Sequence, residues 1–234
     1  MTSLAVLLLV LLAVVSLCCG ILLWKRREAP ADRSRTLLAF ACWGLSFLSV
    51  LYVVRACSGT LPVQGPLLAP EHVFAPVLAG MVLLLYPLEL IRPMGDREVL
   101  YLRMYGPLVA MLVCGLCGGI AYTPIVSLAH LVQHLGEWNV WIRLLAWAVI
   151  PFYAFLLPCI RVNWRETYTS KGFLCIYAGV LCLMGLLQGA VQFTHSWWLY
   201  FLQLVFGIVL VGAVTWYELC ERLWIRREKT ERIK

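Results

Sequence analysis

The chain has 234 residues, of which 62% are hydrophobic and 13% charged, and its formal net charge is +7. A typical soluble domain carries about 25% charged residues, so a soluble fold is excluded: half that number cannot keep such a surface in water. Disordered, fibrous and nucleic-acid-binding chains are excluded as well, because polarity is scarce, no repeat is present and the positive charge sits in short blocks between apolar runs.

Seven apolar runs are each long enough to cross a hydrocarbon core of roughly 30 Å as a helix. They predict an all-α membrane protein, a seven-transmembrane-helix bundle, with spans near residues 3–24, 37–54, 73–91, 107–127, 141–160, 173–194 and 198–219. The first has an uncharged leader, Met1 to Ser3, and its basic cluster Lys25, Arg26 and Arg27 follows the apolar run. That order is the reverse of a secretory signal and predicts an uncleaved anchor with its N-terminus outside. The longest connection, 55–72, carries Pro62, Pro66 and Pro70, and no soluble domain is expected between spans. Prolines within later spans, among them Pro76, Pro87, Pro124 and Pro151, are read as shaping the bundle.

All but Arg55 and Arg143 of the 19 basic residues fall in every second connection, beginning after the first span. Basic connections stay in the cytoplasm, which predicts an outside N-terminus and a cytoplasmic C-terminus. Tryptophans agree: Trp24, Trp164, Trp216 and Trp224 mark the inner interface, and Trp138, Trp141, Trp197 and Trp198 the outer one. Beyond the last span, residues 220–234 read as a basic cytoplasmic juxtamembrane helix, able either to carry motion of that span inward or to hold anionic headgroups.

On this topology all 4 histidines, His72, His130, His134 and His195, lie toward the outer side. His130, His134 and Glu137 are spaced i, i+4, i+7, one face of a helix if the fourth span continues past the membrane; Gln188, Gln192 and His195 repeat the spacing. Gln203, Arg55 and Arg143 belong to the same outer third. Three readings compete. Arg55, His130, His134, Arg143, Gln188, Gln192, His195 and Gln203 could bind an extracytoplasmic ligand, the arginines against an anionic group. His130, His134 and Glu137 could instead hold a divalent metal; no other cofactor is expected. In the third, these groups meet only water and headgroups at the interface.

Most of the 10 cysteines lie in apolar spans, where Cys serves as a small hydrophobe. Cys114 and Cys117 form a C-x-x-C in mid-span beside Gly115, Gly118 and Gly119, which fits helix packing better than thiol oxidoreductase chemistry. At the inner face, Glu89 and Arg92 stand one turn apart, and Glu218 and Glu221 close the last span; internal pairing is expected there rather than proton transfer. The lysines Lys25, Lys171, Lys229 and Lys234 all lie outside the spans, which excludes a tethered retinal. No H-E-x-x-H motif is present.

Tyr86-Pro87-Leu88-Glu89-Leu90-Ile91-Arg92-Pro93, a short charged link and Tyr105-Gly106-Pro107 follow one another at the end of the third span. This segment resembles the N-terminal membrane region of membrane-bound regulators of Bacteroidota, in which a seven-helix bundle precedes a cytoplasmic AraC-type DNA-binding domain or a histidine kinase. The motif's chemistry is a bend at Pro87, a Glu89–Arg92 pair and a stop at Pro93. The resemblance implies a sensory module in a bacterial cytoplasmic membrane. Cys220 to Lys234 are too short for either output domain, so the chain is expected to act as the sensory module alone or through a separate cytoplasmic regulator, without binding nucleic acid itself. The reading is therefore a non-enzymatic membrane sensor in the bilayer, alone or as a homo-oligomer; the alternative is a small-solute or metal-ion transporter with the same outer cluster as its entrance.

Overall fold

The computed structural model describes residues 1–27, 33–91, 99, 102–103, 105–107, 109–110, 113, 122–160, 167 and 169–222. The protein is all-α. Its continuously described helices are α1 (Thr2–Lys25), α2 (Arg33–Cys57), α3 (Pro70–Leu90), the short α4 (Leu128–Gln133), α5 (Trp138–Leu156), α6 (Lys171–Thr194) and α7 (Trp197–Trp216). Six of them, all but α4, are long and apolar enough to cross a membrane. Their outward faces are apolar too: Leu7, Phe47, Val54, Phe155 and Ile176 are exposed, a surface suited to lipid chains and not to water. The chain is a multi-pass membrane protein.

Helix ends run one to four residues beyond most of the predicted spans, because polar flanking residues find partners and continue the helix. Arg33 to Arg35, for instance, start α2 in a polar stretch, and Arg35 is 3% exposed. Most of the predicted span 107–127 lies outside the described residues, but its last part differs from expectation. Tyr122 to Val126 are not helical; Pro124 has no N–H to continue a helix, and Ile125 pairs instead with Leu67, whose N–H donates to its carbonyl at 2.7 Å. Tyr105, in a helical stretch, donates its hydroxyl to the Met81 carbonyl on α3 at 3.1 Å. Of the predicted juxtamembrane helix, Leu223 to Lys234 lie outside the described residues.

The six long helices form a ring, with contacts α1–α2, α2–α3, α3–α5, α5–α6, α6–α7 and α7–α1. Lipid tails are as apolar as leucine, so close approach and interhelical hydrogen bonds hold such a ring together, not apolar burial from water. Ser46 on α2 donates to the Ala13 carbonyl on α1 at 2.9 Å. Gly185 and Gly189, one turn apart on α6, let α5 come close: a Cβ at either would fall 2.4 Å from Pro151 or 2.2 Å from Trp147. Trp147 reaches over that glycine face and donates to the Gly185 carbonyl at 3.0 Å.

A candidate ligand cavity

At the end of the bundle that holds α4, the loop 58–69 caps the ring, and it needs help to do so. Leu68 is fully buried with φ +51°, a left-handed conformation that costs a leucine on the order of 1–2 kcal/mol. Two side chains hold it: the Gln192 Oε1 accepts its N–H at 3.2 Å, and Arg143 Nη1 donates to its carbonyl at 3.3 Å. Arg143 is itself 3% exposed and also donates to the Thr123 carbonyl, the Asn139 carbonyl and Asn139 Oδ1. His195, the left-handed cap of α6, reaches the Val63 carbonyl at 2.9 Å. Arg55 pairs with Glu71 at 3.1 Å, with both side chains partly exposed. Residues expected to face a ligand from the aqueous side thus fasten the cap of the bundle.

Below the cap runs an amide relay. Gln188 and Gln192 both donate to the His72 carbonyl, at 3.0 and 3.1 Å, and Gln203 donates to Gln188 Oε1 at 2.5 Å. The relay forms the upper wall of a cavity of about 180 Å³ inside the ring, lined by residues of all six long helices. Its body is apolar, with Leu9, Leu12, Leu45, Val77, Ile150 and Leu210 on its walls, and among its described lining residues there is no Asp, Glu, Lys or Arg. Three polar atoms of lining residues have no hydrogen-bond partner among the described residues: Tyr52 OH, His72 Nδ1 and Gln203 Oε1. His72 is 1% exposed and stacks on Tyr52 with ring centroids 5.9 Å apart, so these groups share one end of the cavity. Toward the opposite end lies a separate small void of about 10 Å³ between Leu38, Cys42, Tyr177 and Val214.

Beyond that end lies a charged network. Beyond Trp216, α7 widens into a π-turn, Tyr217–Glu221, which carries Glu218. Tyr217 anchors the turn, stacked on Phe173 and bonded to Thr169 at 2.7 Å. Glu218 is fully buried; it accepts from Tyr86 OH at 2.7 Å, from Arg35 Nε at 3.4 Å and from Arg222 Nη1. Arg35 donates further to the Arg26 carbonyl at 2.5 Å, and Arg222 to Ser34 Oγ at 2.5 Å. The network ties α1, α2, α3 and α7 together, and the expectation of internal pairing at Glu218 agrees with it.

The third group of predicted residues forms a separate surface cluster. His130 and His134 do not extend the preceding span: Ser127 caps a new short helix, accepting the His130 N–H at 3.2 Å. His134 Nδ1 meets Glu137 at 2.6 Å, and His134 Nε2 meets His130 Nε2 at 2.9 Å. Donation from His134 Nδ1–H to the carboxylate leaves Nε2 to accept from His130. Glu137 therefore sits on the ring nitrogen away from His130, and the three side chains do not converge on a point where an ion could sit. Among the described residues no group of three His, Cys, Asp or Glu is placed to hold a metal. Hydrogen bonds from Thr123 and His134 hold the Glu137 carboxyl below the usual carboxylate range.

Cys114 and Cys117, and Arg92 and Pro93 of the Tyr86 motif, lie outside the described residues. Tyr52, Tyr200 and His72 as cavity residues, and Arg35 and Arg222 as partners of Glu218, were not singled out from sequence. For Tyr52 and Tyr200 the available signal was a polar hydroxyl within an apolar run. No protein-family model matches this chain, and no match is found among curated proteins or solved structures.

Proposed function

We propose that the protein is a non-enzymatic sensory module of a bacterial cytoplasmic membrane, with seven spans, an outside N-terminus and a cytoplasmic C-terminus, which takes a ligand from the outer side and signals to a cytoplasmic regulator. The observation that carries this reading is a cavity inside the helix ring, beneath a fastened cap, with a fully buried carboxylate and its partners at the other end of the ring. A carrier needs a polar path through to the other face; a sensor needs a closed one. A single helix links the two ends: α7 supplies Gln203, Gly207 and Val211 to the cavity, and its continuation carries Glu218 and Arg222. From Gln203 to Glu218 is roughly 22 Å of helix at about 1.5 Å per residue, so occupancy that tilts or turns α7 is felt at the Glu218 network. A seventh crossing is supported by the path of the chain, which leaves α3 at the Glu218 end and resumes at Tyr122 beside the cap.

Transport through the same cavity is the second reading, favoured by its place on the axis of a helix ring. Cysteine accessibility separates the two. In a chain with its own cysteines replaced, Ser49→Cys places a thiol on the cavity wall. For a sensor, a membrane-impermeant maleimide reaches that thiol from the cap side at most, under every condition tried; reaction from the Glu218 side would replace the sensor by a carrier. In the same background, native Cys57 restored alone should label in intact cells, and Lys25→Cys only after permeabilisation, the two positions being exposed at opposite ends of the α1–α2 pair. The reverse pattern would overturn the topology.

A further inference from the structure

The unmet hydrogen-bonding groups of the cavity define what it takes, an inference that rests on reading the cavity as the ligand site and names its ligand class. Gln203 has its amide nitrogen bound to Gln188 Oε1, and Gln188 in turn has its own nitrogen bound to the His72 carbonyl. This order leaves no freedom to flip either amide, so the atom left over is an acceptor, Gln203 Oε1. At His72 the edge carrying Nε2 lies against the cap, where a Cβ on Gly65 would fall 3.2 Å from Nε2. The other ring nitrogen, Nδ1, is buried and has no partner among the described residues. Tyr52 OH adds a group that can donate or accept. At the polar end Gln203 Oε1 is thus an acceptor still without a donor, and that end opens on a body lined by leucine, valine, isoleucine and Trp147 with no charged side chain among its described lining residues.

Leaving a buried acceptor unpaired costs roughly twice what a typical hydrogen bond gains, so something should pair with these atoms. An apolar cavity of about 150 Å³ accepts a benzene ring, and this one is about 180 Å³. A charged molecule would be stripped of water with no counter-charge on the lining residues. We propose that the cavity binds a small, neutral molecule with an apolar body about the size of one ring and a hydrogen-bond donor, of the phenol class, with its donor on Gln203 Oε1.

The test uses the full chain purified in detergent and three single-ring probes, phenol, toluene and benzoate, with affinity read by calorimetry and by the shift in melting temperature. Phenol should bind, toluene should bind roughly fivefold more weakly than phenol, the worth of about one hydrogen bond, and benzoate should not bind. A merely greasy cavity reverses the first order, because toluene leaves water more readily than phenol, and that reversal would overturn the proposal. So would binding of benzoate, or no response to any probe, which would mean that ordered water alone fills the polar end. Gln203→Leu should lower the preference for phenol over toluene roughly fivefold while leaving toluene bound. The three-probe comparison on the unaltered chain decides the matter even if that variant does not fold. Selective phenol binding together with labelling of Ser49→Cys from the Glu218 side would retain this ligand class and discard the sensor; the converse pattern would retain the sensor and discard the ligand class.

Discussion

Glu218→Ala should be the most damaging single change in this protein, lowering stability by about 3–5 kcal/mol in equilibrium unfolding from mixed detergent micelles. Glu218 is fully buried, and Arg35 beside it is almost so, so solvent screens little of their interaction. Removing the carboxylate takes from the buried Arg35 its carboxylate partner, while its bonds to the carbonyls of Arg26 and Glu218 remain. Arg222 is more open and can turn toward water. Tyr86→Phe deletes one hydrogen bond to the charged group and keeps the packing, so its cost should be smaller, about 1.5–3 kcal/mol. Combining the two should cost less than the sum, since both act on one network. Equal effects of Tyr86→Phe and Glu218→Ala would mean that packing around the tyrosine, not the carboxylate, closes this end.

The second large effect is expected at the α5–α6 contact. Gly185→Ala and Gly189→Ala should each destabilise by about 1–3 kcal/mol, because the added methyl falls within 2.4 Å of a proline ring or 2.2 Å of an indole, which must shift. Trp147 is held by its own bond to the Gly185 carbonyl, so moving it aside also loses that bond. A control exists on the same bundle: at Gly207 the nearest atoms stand 3.6 Å or more from where an added methyl would lie, and Gly207→Ala should be close to neutral. If all three alanine variants melt together, helix propensity and not helix approach is what these positions report.

The spans were legible because crossing a membrane demands a long apolar run, a property of consecutive residues. The predicted spans 3–24, 37–54, 173–194 and 198–219 lie wholly within described helical segments. Spans 73–91 and 141–160 each run one residue past theirs, and 107–127 lies largely outside the described residues. The i, i+4 spacing of Gln188 and Gln192 and of His130 and His134 puts each pair on one helix face, and each pair shares contacts in the structure. The condition for Glu137 to join the two histidines, that the fourth span continue as one helix, is not met, because Ser127 and Glu137 are the N-caps of two separate helices. Arg143 was read as facing a ligand; nothing near it in sequence reveals that the Leu68 carbonyl, 75 residues away, needs its guanidinium.

Local composition thus determined the solvent this chain lives in, its helical class and the rough limits of its spans, since each depends on neighbours along the chain. The partner of Glu218 183 residues away, the glycine face beneath Trp147 and the three unpaired atoms around the cavity were decided by the closing of the ring. Which polar groups find partners, and which remain to meet a ligand, depends on distances across the bundle that no window of sequence contains.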